Sequence, residues 1–328
     1  MSPFPRRLRL AVAALLFVLA AGCVEFEKQT VFVVFPKDRD EAHVLLVYEG
    51  IHVDSDKEDD LKSAKEQLSG FAGEQQFCLW AWPFHVDLTP DKRDADDQKK
   101  VKDLFRKHLT IKNGAFYTRA DGKLCAYQHI TVREVSKLVA SANGMISEGL
   151  LADEQGPSMA LDKESQAMVL RAARDKHAWL KLEPGRLSAT VPMTPASARR
   201  LKRGVLGVDD LAEVLQALGA DKPKPVAPGK PREPRVVVEQ LHARASLWAD
   251  NPWSFEQRHD RVTVSLGVGD GEPLRLELPA RPHAATTVDA ALAEHARTLK
   301  VKFRKDVTVE SLIEEFAKEH GGTKRPEK

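Results

Sequence analysis

Two short segments of the sequence, His52-Val53-Asp54 and His85-Val86-Asp87, contain residue types that bind metals. Each follows an apolar run typical of a β-strand, where residues two apart point to the same face. If the two strands are neighbours, two imidazoles and two carboxylates converge, a ligand set that suits zinc or another transition metal. The alternative is that these residues mark strand ends that enter solvated loops. The main expectation is that the protein has no cofactor, and a divalent metal at His52, Asp54, His85 and Asp87 is the alternative.

A second candidate site is the aromatic group Trp248, Trp253 and Phe255, which is followed by arginine and histidine side chains between positions 258 and 261. Aromatic faces beside polar hydrogen-bonding groups can stack on a sugar ring or hold a peptide. The alternative is that these rings anchor a loop onto the core, since aromatic residues are often buried.

Familiar catalytic and ion-binding signatures are missing from the sequence. The acidic run 54–60 lacks the glycine and the final glutamate of a calcium loop, and it is better explained as a helix entry. The glycine-rich stretch 267–271 precedes an alternating strand rather than a helix, which predicts a hairpin turn and not a phosphate loop. The sequence contains no P-loop, zinc-protease, nucleophile-elbow or C-x-x-C motif, which lowers the expectation of an enzyme.

Hydrophobic periodicity predicts a mixture of strands, hairpins and amphipathic helices, which is the α+β class with a mixed sheet. Thr131-x-x-Glu134 and Thr286-x-x-Asp289 have the form of helix capping boxes. The predicted strands are 29–35, 43–48, 77–86, 187–193 and the hairpins 114–118/124–130 and 261–266/274–278; the predicted helices include 61–71, 97–110, 162–179, and those that begin near Thr131, Thr194, Asp209, Thr286 and Thr308.

A proline- and lysine-rich segment at 221–234 predicts a linker, because proline lacks the amide donor that helices and sheets require. The predicted organisation is therefore a signal segment at 1–22, an N-terminal α+β domain at 24–220, the linker, a smaller C-terminal α+β domain at 235–320 and a frayed tail at 321–328.

The charge balance indicates which partners to expect. The 328 residues carry a formal net charge of +2, with three of the 50 basic residues and no acidic residue in positions 1–22. The remaining chain is thus nearly neutral and lacks the basic excess that a nucleic-acid binder needs, so no nucleic-acid partner is expected.

The first 23 residues have the order of an export signal: a basic patch with Arg6, Arg7 and Arg9, an apolar run at 10–21, and a small-residue junction before Cys23. The run is too short to be a comfortable membrane-spanning helix. The junction Leu19-Ala20-Ala21-Gly22-Cys23 resembles the lipobox of bacterial lipoproteins. The alternatives are an ordinary cleaved signal peptide and an uncleaved anchor.

The resemblance implies cleavage before Cys23, attachment of diacylglycerol and often a further acyl chain such as palmitate to that residue, and a cell-envelope location. Val24 follows the cysteine, and no aspartate stands there to indicate inner-membrane retention. The resemblance therefore favours the outer membrane, facing the periplasm. The expected partners are the membrane through the lipid, and an envelope glycan, peptide or protein.

Cys78 and Cys125 are the remaining cysteines once Cys23 carries lipid. Exported proteins mature where disulfides persist, so a Cys78–Cys125 bridge is one expectation if the two strands adjoin. The other is that both are core residues, since cysteine behaves as a small apolar side chain.

These observations predict a lipid-anchored envelope lipoprotein that is a non-catalytic binding or structural protein. The alternative is a metal-assisted hydrolase that uses the paired His-x-Asp segments.

Overall fold

The computed structural model describes most of the chain from residue 24 onward. The described residues are 24–53, 57–73, 78–81, 84–88, 92, 96–152, 161–199, 253–267, 269, 273–279, 283–284, 286–299 and 303–321. They form an α+β fold with a mixed sheet, as the sequence predicts. Among them, no helix is long and apolar enough to cross a membrane.

The described chain forms two compact units. One, here called the sheet unit, comprises residues Ala20–Leu138 and Gly267–Lys328, and the second unit includes Val139–Leu266. The described strands are β1 Glu25–Val34, β2 Glu41–His52, β3 Cys78–Ala81, β4 Phe84–Asp87, β5 Leu109–Thr118, β6 Leu124–Arg133, β7 Leu180–Glu183, β8 Arg186–Pro192, β9 Trp253–Gln257, β10 Arg261–Leu266, β11 Leu274–Pro279 and β12 Phe303–Arg304. The described helices are α1 Glu58–Ala72, α2 Asp96–His108, α3 Val135–Ala152, α4 Lys163–Arg174, α5 Thr287–Thr298 and α6 Val309–His320.

The sheet unit is built on a six-stranded sheet in the order β11-β1-β2-β6-β5-β12. Its strand pairs are antiparallel except β12 with β5, which is parallel. The central strands β1 and β2 are rich in β-branched and aromatic residues and are buried along most of their length. Burial on both faces explains why they read as nearly continuous apolar runs.

Helices cover both faces of this sheet. Leu312 and Phe316 of α6 pack on Phe32 and Leu45 of the central strands. On strand β5, Tyr117 belongs to the same cluster, whereas its neighbour Phe116 contacts Phe71 of α1, with ring centroids 5.2 Å apart. Since successive strand residues face opposite sides, α1 lies on the face away from α6. Helix α5 packs on α1 and β2.

The second unit has a four-stranded antiparallel sheet in the order β7-β8-β10-β9. Its core joins helices α3 and α4 to this sheet and includes Ile146, Val169, Trp179 and Val262. Asp162 caps α4 by accepting a hydrogen bond from the Ser165 amide, which is an ordinary N-cap.

The predicted hairpin 261–266/274–278 is wrong. Both segments are strands, but β10 pairs with β8 and β9, whereas β11 pairs with β1. The two strands therefore belong to different sheets. The compact units consequently follow other boundaries than the predicted domains 24–220 and 235–320, because β11 pairs with β1, the first described strand of the chain. The predicted linker at 221–234 lies outside the described residues.

Two further predictions need correction. Strand β6 continues to Arg133, so Thr131 does not cap helix α3; the carboxylate of Asp40 accepts from the Ser136 amide instead. The single strand predicted at 77–86 is a two-stranded pair, β3 with β4.

Candidate functional site

The paired His-x-Asp segments lie in different sheets. His52 ends β2, whose two neighbours are β1 and β6, whereas His85 and Asp87 belong to β4, which pairs with β3. The four residues would converge only if β2 and β4 were neighbours, and the two strands are not neighbours. Asp54 and the side chains of His85 and Asp87 lie outside the described part of the chain. Within the described part, no group of three or more histidine, cysteine or acidic residues has a metal-binding arrangement.

His52 instead stacks on His283, a residue that the sequence did not single out. The two rings are nearly parallel, with an interplanar angle of 12° and centroids 3.9 Å apart. The Nδ1 atom of His52 lies 2.8 Å from the carbonyl oxygen of Gly50, and Nε2 of His283 lies 2.8 Å from Oδ2 of Asp289. Each hydrogen bond fixes the orientation of one ring.

Asp289 links this pair to the start of helix α5. It is the third residue of the predicted capping box: Thr286 donates its amide hydrogen to Oδ2 of Asp289, and the Asp289 amide donates to Oγ1 of Thr286. Oδ1 of Asp289 accepts from the Val53 amide, directly after His52. Burial disfavours the ionised carboxylate, but these hydrogen bonds outweigh burial and lower the pKa of Asp289.

Glu27 is the second buried carboxylate, and only 9% of its side chain is exposed. One oxygen accepts from Lys123 at 2.5 Å and from the His283 amide at 2.9 Å, and the other accepts from Arg119 at 2.7 Å. Burial raises the pKa of Glu27, but these donors outweigh that effect and the net pKa is lowered. Lys123 also donates to the carbonyl oxygen of His283, at 2.7 Å.

Gly50 makes room for the Glu27 carboxylate. A Cβ atom at this position would collide with the Glu27 side chain, and Gly50 has a positive φ of 66° that favours glycine. A glycine opposite Glu27 therefore lets a carboxylate lie over β2.

The turn between β5 and β6 supplies the cations. Arg119 donates to both oxygens of Asp121, at 2.9 and 2.5 Å, in addition to Glu27. The hydrogen bond from Arg119 lowers the pKa of Asp121 to about 2. Gly122, with φ 85°, closes the turn.

Most of these residues line a cavity of about 160 Å³. At about 30 Å³ for each water molecule, it holds about five waters or a group of similar size, well below the about 300 Å³ at which drug-sized ligand pockets begin. The lining residues are Glu27, Gly50, Ile51, His52, Asp121, Gly122, Lys123, Leu124, His283, Thr286, Asp289, Ala290 and Ala293.

The carboxylates of the cavity are not tuned for proton transfer near neutral pH. A carboxylate that acts as a general acid or base near neutral pH needs a pKa near that pH. Glu27, Asp121 and Asp289 have lowered pKa values and are already hydrogen-bonded to cations or amides. The arrangement is a set of pre-oriented charges and two stacked imidazoles around a small space.

The remaining candidate residues are described only in part. Phe255 packs against the core of the second unit, and Trp248 and the side chain of Trp253 lie outside the described residues. Cys125 is a free thiol buried in the sheet unit, and its bridge to Cys78 stays a prediction. The side chain of Cys78 and all of Cys23 lie outside the described residues.

Of the residues that line this cavity, the sequence analysis named only His52 as a candidate site residue. Its other members come from four separated parts of the chain, and the sequence identified Asp289 only as a capping residue. The Thr286-x-x-Asp289 motif was the available signal, because it places a carboxylate near His283.

The chain matches no known family model, no curated protein and no solved structure.

Proposed function

We propose that this protein is a lipid-anchored, non-catalytic binding lipoprotein of the cell envelope. The observation that carries the proposal is the order of residues 1–23: a basic patch, a twelve-residue apolar run and Leu19-Ala20-Ala21-Gly22 before Cys23. In this proposal Cys23 becomes the acylated N-terminus of the mature chain. Val24 after the cysteine favours the outer membrane, with the protein facing the periplasm.

The cavity around His52 and His283 supports binding rather than catalysis. Its carboxylates have lowered pKa values, so they are charged and hydrogen-bonded at neutral pH. Such groups orient a ligand without having to exchange protons with it. The partners that the proposal includes are the membrane through the lipid, and an envelope glycan, peptide or protein. The cavity of about 160 Å³ would take only a small group.

Replacing Cys23 by serine tests the anchor. We expect the variant to lose fatty-acid labelling and to leave the membrane fraction, because two or more acyl chains, at about 0.8 kcal/mol for each buried methylene, make attachment stable. Cys78→Ser is the matched control, since it removes a different thiol and should keep both the label and the membrane location. Membrane retention of Cys23→Ser with an unmodified native N-terminus would contradict the proposal.

Elemental analysis of the purified native protein separates binding from metal-assisted hydrolysis. The proposal expects no stoichiometric transition metal. A stoichiometric metal that is lost in His52→Ala would favour the hydrolase interpretation instead.

A further inference from the structure

The sheet unit begins almost at the proposed lipid attachment point. Val24 is buried, with 7% of its surface exposed, and β1 starts at Glu25. Val24 is the only residue between Cys23 and the first residue of β1. An acylated Cys23 would therefore be joined to the sheet without a flexible spacer.

The cavity lies at the same end of the sheet as this attachment point. The first residue of β1, Glu25, pairs with His52, the last residue of β2. The turn that joins β5 to β6 reaches this end as well, because Arg119 and Lys123 both donate to Glu27. Three separated parts of the chain thus meet within a few residues of Cys23.

We propose that this end of the sheet unit rests against the lipid headgroup layer of the membrane in which Cys23 is anchored. The inference depends on the proposed acylation of Cys23 and adds to it an orientation. The partner surface is the bilayer itself, because Cys23 directly precedes the buried Val24 and its acyl chains would keep this end close to the membrane. The opposite end, the β1–β2 turn at 35–40, would be held about 30 Å farther away, since β1 contains ten residues at about 3.3 Å each.

The charges at this end do not supply a separate membrane attraction. Glu27 and Asp121 form ion pairs with Arg119, and Glu27 also pairs with Lys123, so the two cations are already paired with carboxylates. Polybasic segments bind anionic lipids through an excess of unpaired positive charge. The acyl chains would therefore hold the protein, and the short connection would set its orientation.

Energy transfer from two hairpin tips to the membrane surface tests this orientation. Ala120→Cys lies at the exposed β5–β6 turn and Asp38→Cys at the exposed β1–β2 turn, both in the sheet unit. Each is made in a Cys78→Ser background, labelled with the same donor fluorophore, and reconstituted as the full acylated protein in phosphatidylethanolamine–phosphatidylglycerol vesicles that carry a headgroup acceptor. We expect several-fold more transfer from position 120 than from position 38.

A spacer variant and a mass measurement separate the possible failures. Inserting a flexible Gly-Ser segment between Cys23 and Val24 should reduce the difference between the two labels, because the orientation then has no short connection to enforce it. Equal transfer from both positions in protein with confirmed acylation overturns the inference and leaves the proposed function in place. A difference that the spacer does not reduce also overturns it. An unmodified Cys23 by mass spectrometry contradicts the proposed function itself.

Discussion

Glu27→Gln probes the charge network of the cavity with almost no change in shape. A hydrogen bond to a charged group contributes about 1.5–3 kcal/mol, and Glu27 accepts from Lys123, Arg119 and the His283 amide. Glutamine keeps one acceptor oxygen but places an amide group where a donor already points. Lys123 and Arg119 are 24% and 32% exposed, so water compensates part of the loss. We therefore expect a loss of about 2–3 kcal/mol in the free energy of unfolding.

Urea denaturation of the chain that begins at residue 23 and carries Cys23→Ser measures this loss, and its pH dependence gives a second readout. The pKa of Glu27 is lower in the folded state than its ordinary value. Its contribution to stability is therefore present above the pKa of the unfolded chain, about 4.3, and is lost as the pH falls through the folded pKa. The stability difference between the parent and Glu27→Gln should be largest at pH 7 and should shrink in acid.

Glu66→Gln is the matched control, because it makes the same chemical change at an exposed position on α1. Its effect should stay within about 0.5 kcal/mol at every pH. If Glu27→Gln and Glu66→Gln have equal stability at pH 7, the network does not stabilise the fold and the reasoning is refuted. A penalty for Glu27→Gln that persists unchanged in acid would equally show that it arises from packing rather than charge.

Two other buried groups give independent checks. Burial raises the pKa of the Cys125 thiol to about 11, so iodoacetamide at pH 8 should leave Cys125 unmodified in the native protein and modify it after denaturation; peptide mass mapping that finds native modification would contradict this. Burial first, and neighbouring positive charge second, lower the pKa of His43, and burial also lowers the pKa of His129 and His320. As the pH falls, these histidines bind protons in the unfolded state before they do so in the folded state, so the free energy of unfolding should fall from about pH 7 toward pH 5. In urea denaturation at each pH, His320→Gln should reduce this fall. The control His259→Gln, at an exposed position, should not.

Local patterns in the sequence predicted most elements because their signals act over a few residues. The strands β1 and β2, the caps at Thr286 and Thr308, and the stop at Gly321 follow from side-chain types within one element. Which strands pair with each other does not follow from side-chain types within one element. The alternating runs 261–266 and 274–278 look like a hairpin, but β11 pairs with β1, about 240 residues earlier in the chain.

The prediction that Thr131 caps helix α3 is also wrong because of strand pairing. The motif is a valid local cap, but pairing of β6 with β2 and β5 keeps Thr131 in the sheet, and a carboxylate from the β1–β2 turn serves the helix instead. Tertiary pairing thus overrides a local preference of about 1 kcal/mol. The cavity was missed for a related reason: His52 and His283 are separated by most of the chain, and no spacing rule links them.

The paired charges are compatible with the proposed orientation. An exposed ion pair is worth little in water, but a pair in a lower effective dielectric interacts more strongly and is costly when one partner is missing. The headgroup layer would reduce the access of water to Arg119 and Lys123, whose only described carboxylate partners are Glu27 and Asp121 at the same end of the sheet. An end of the protein that must tolerate this environment needs its charges neutralised internally rather than by solvent. With Cys23 acylated as proposed, the Glu27 network would meet that requirement, because its carboxylate already accepts from Lys123, Arg119 and the His283 amide.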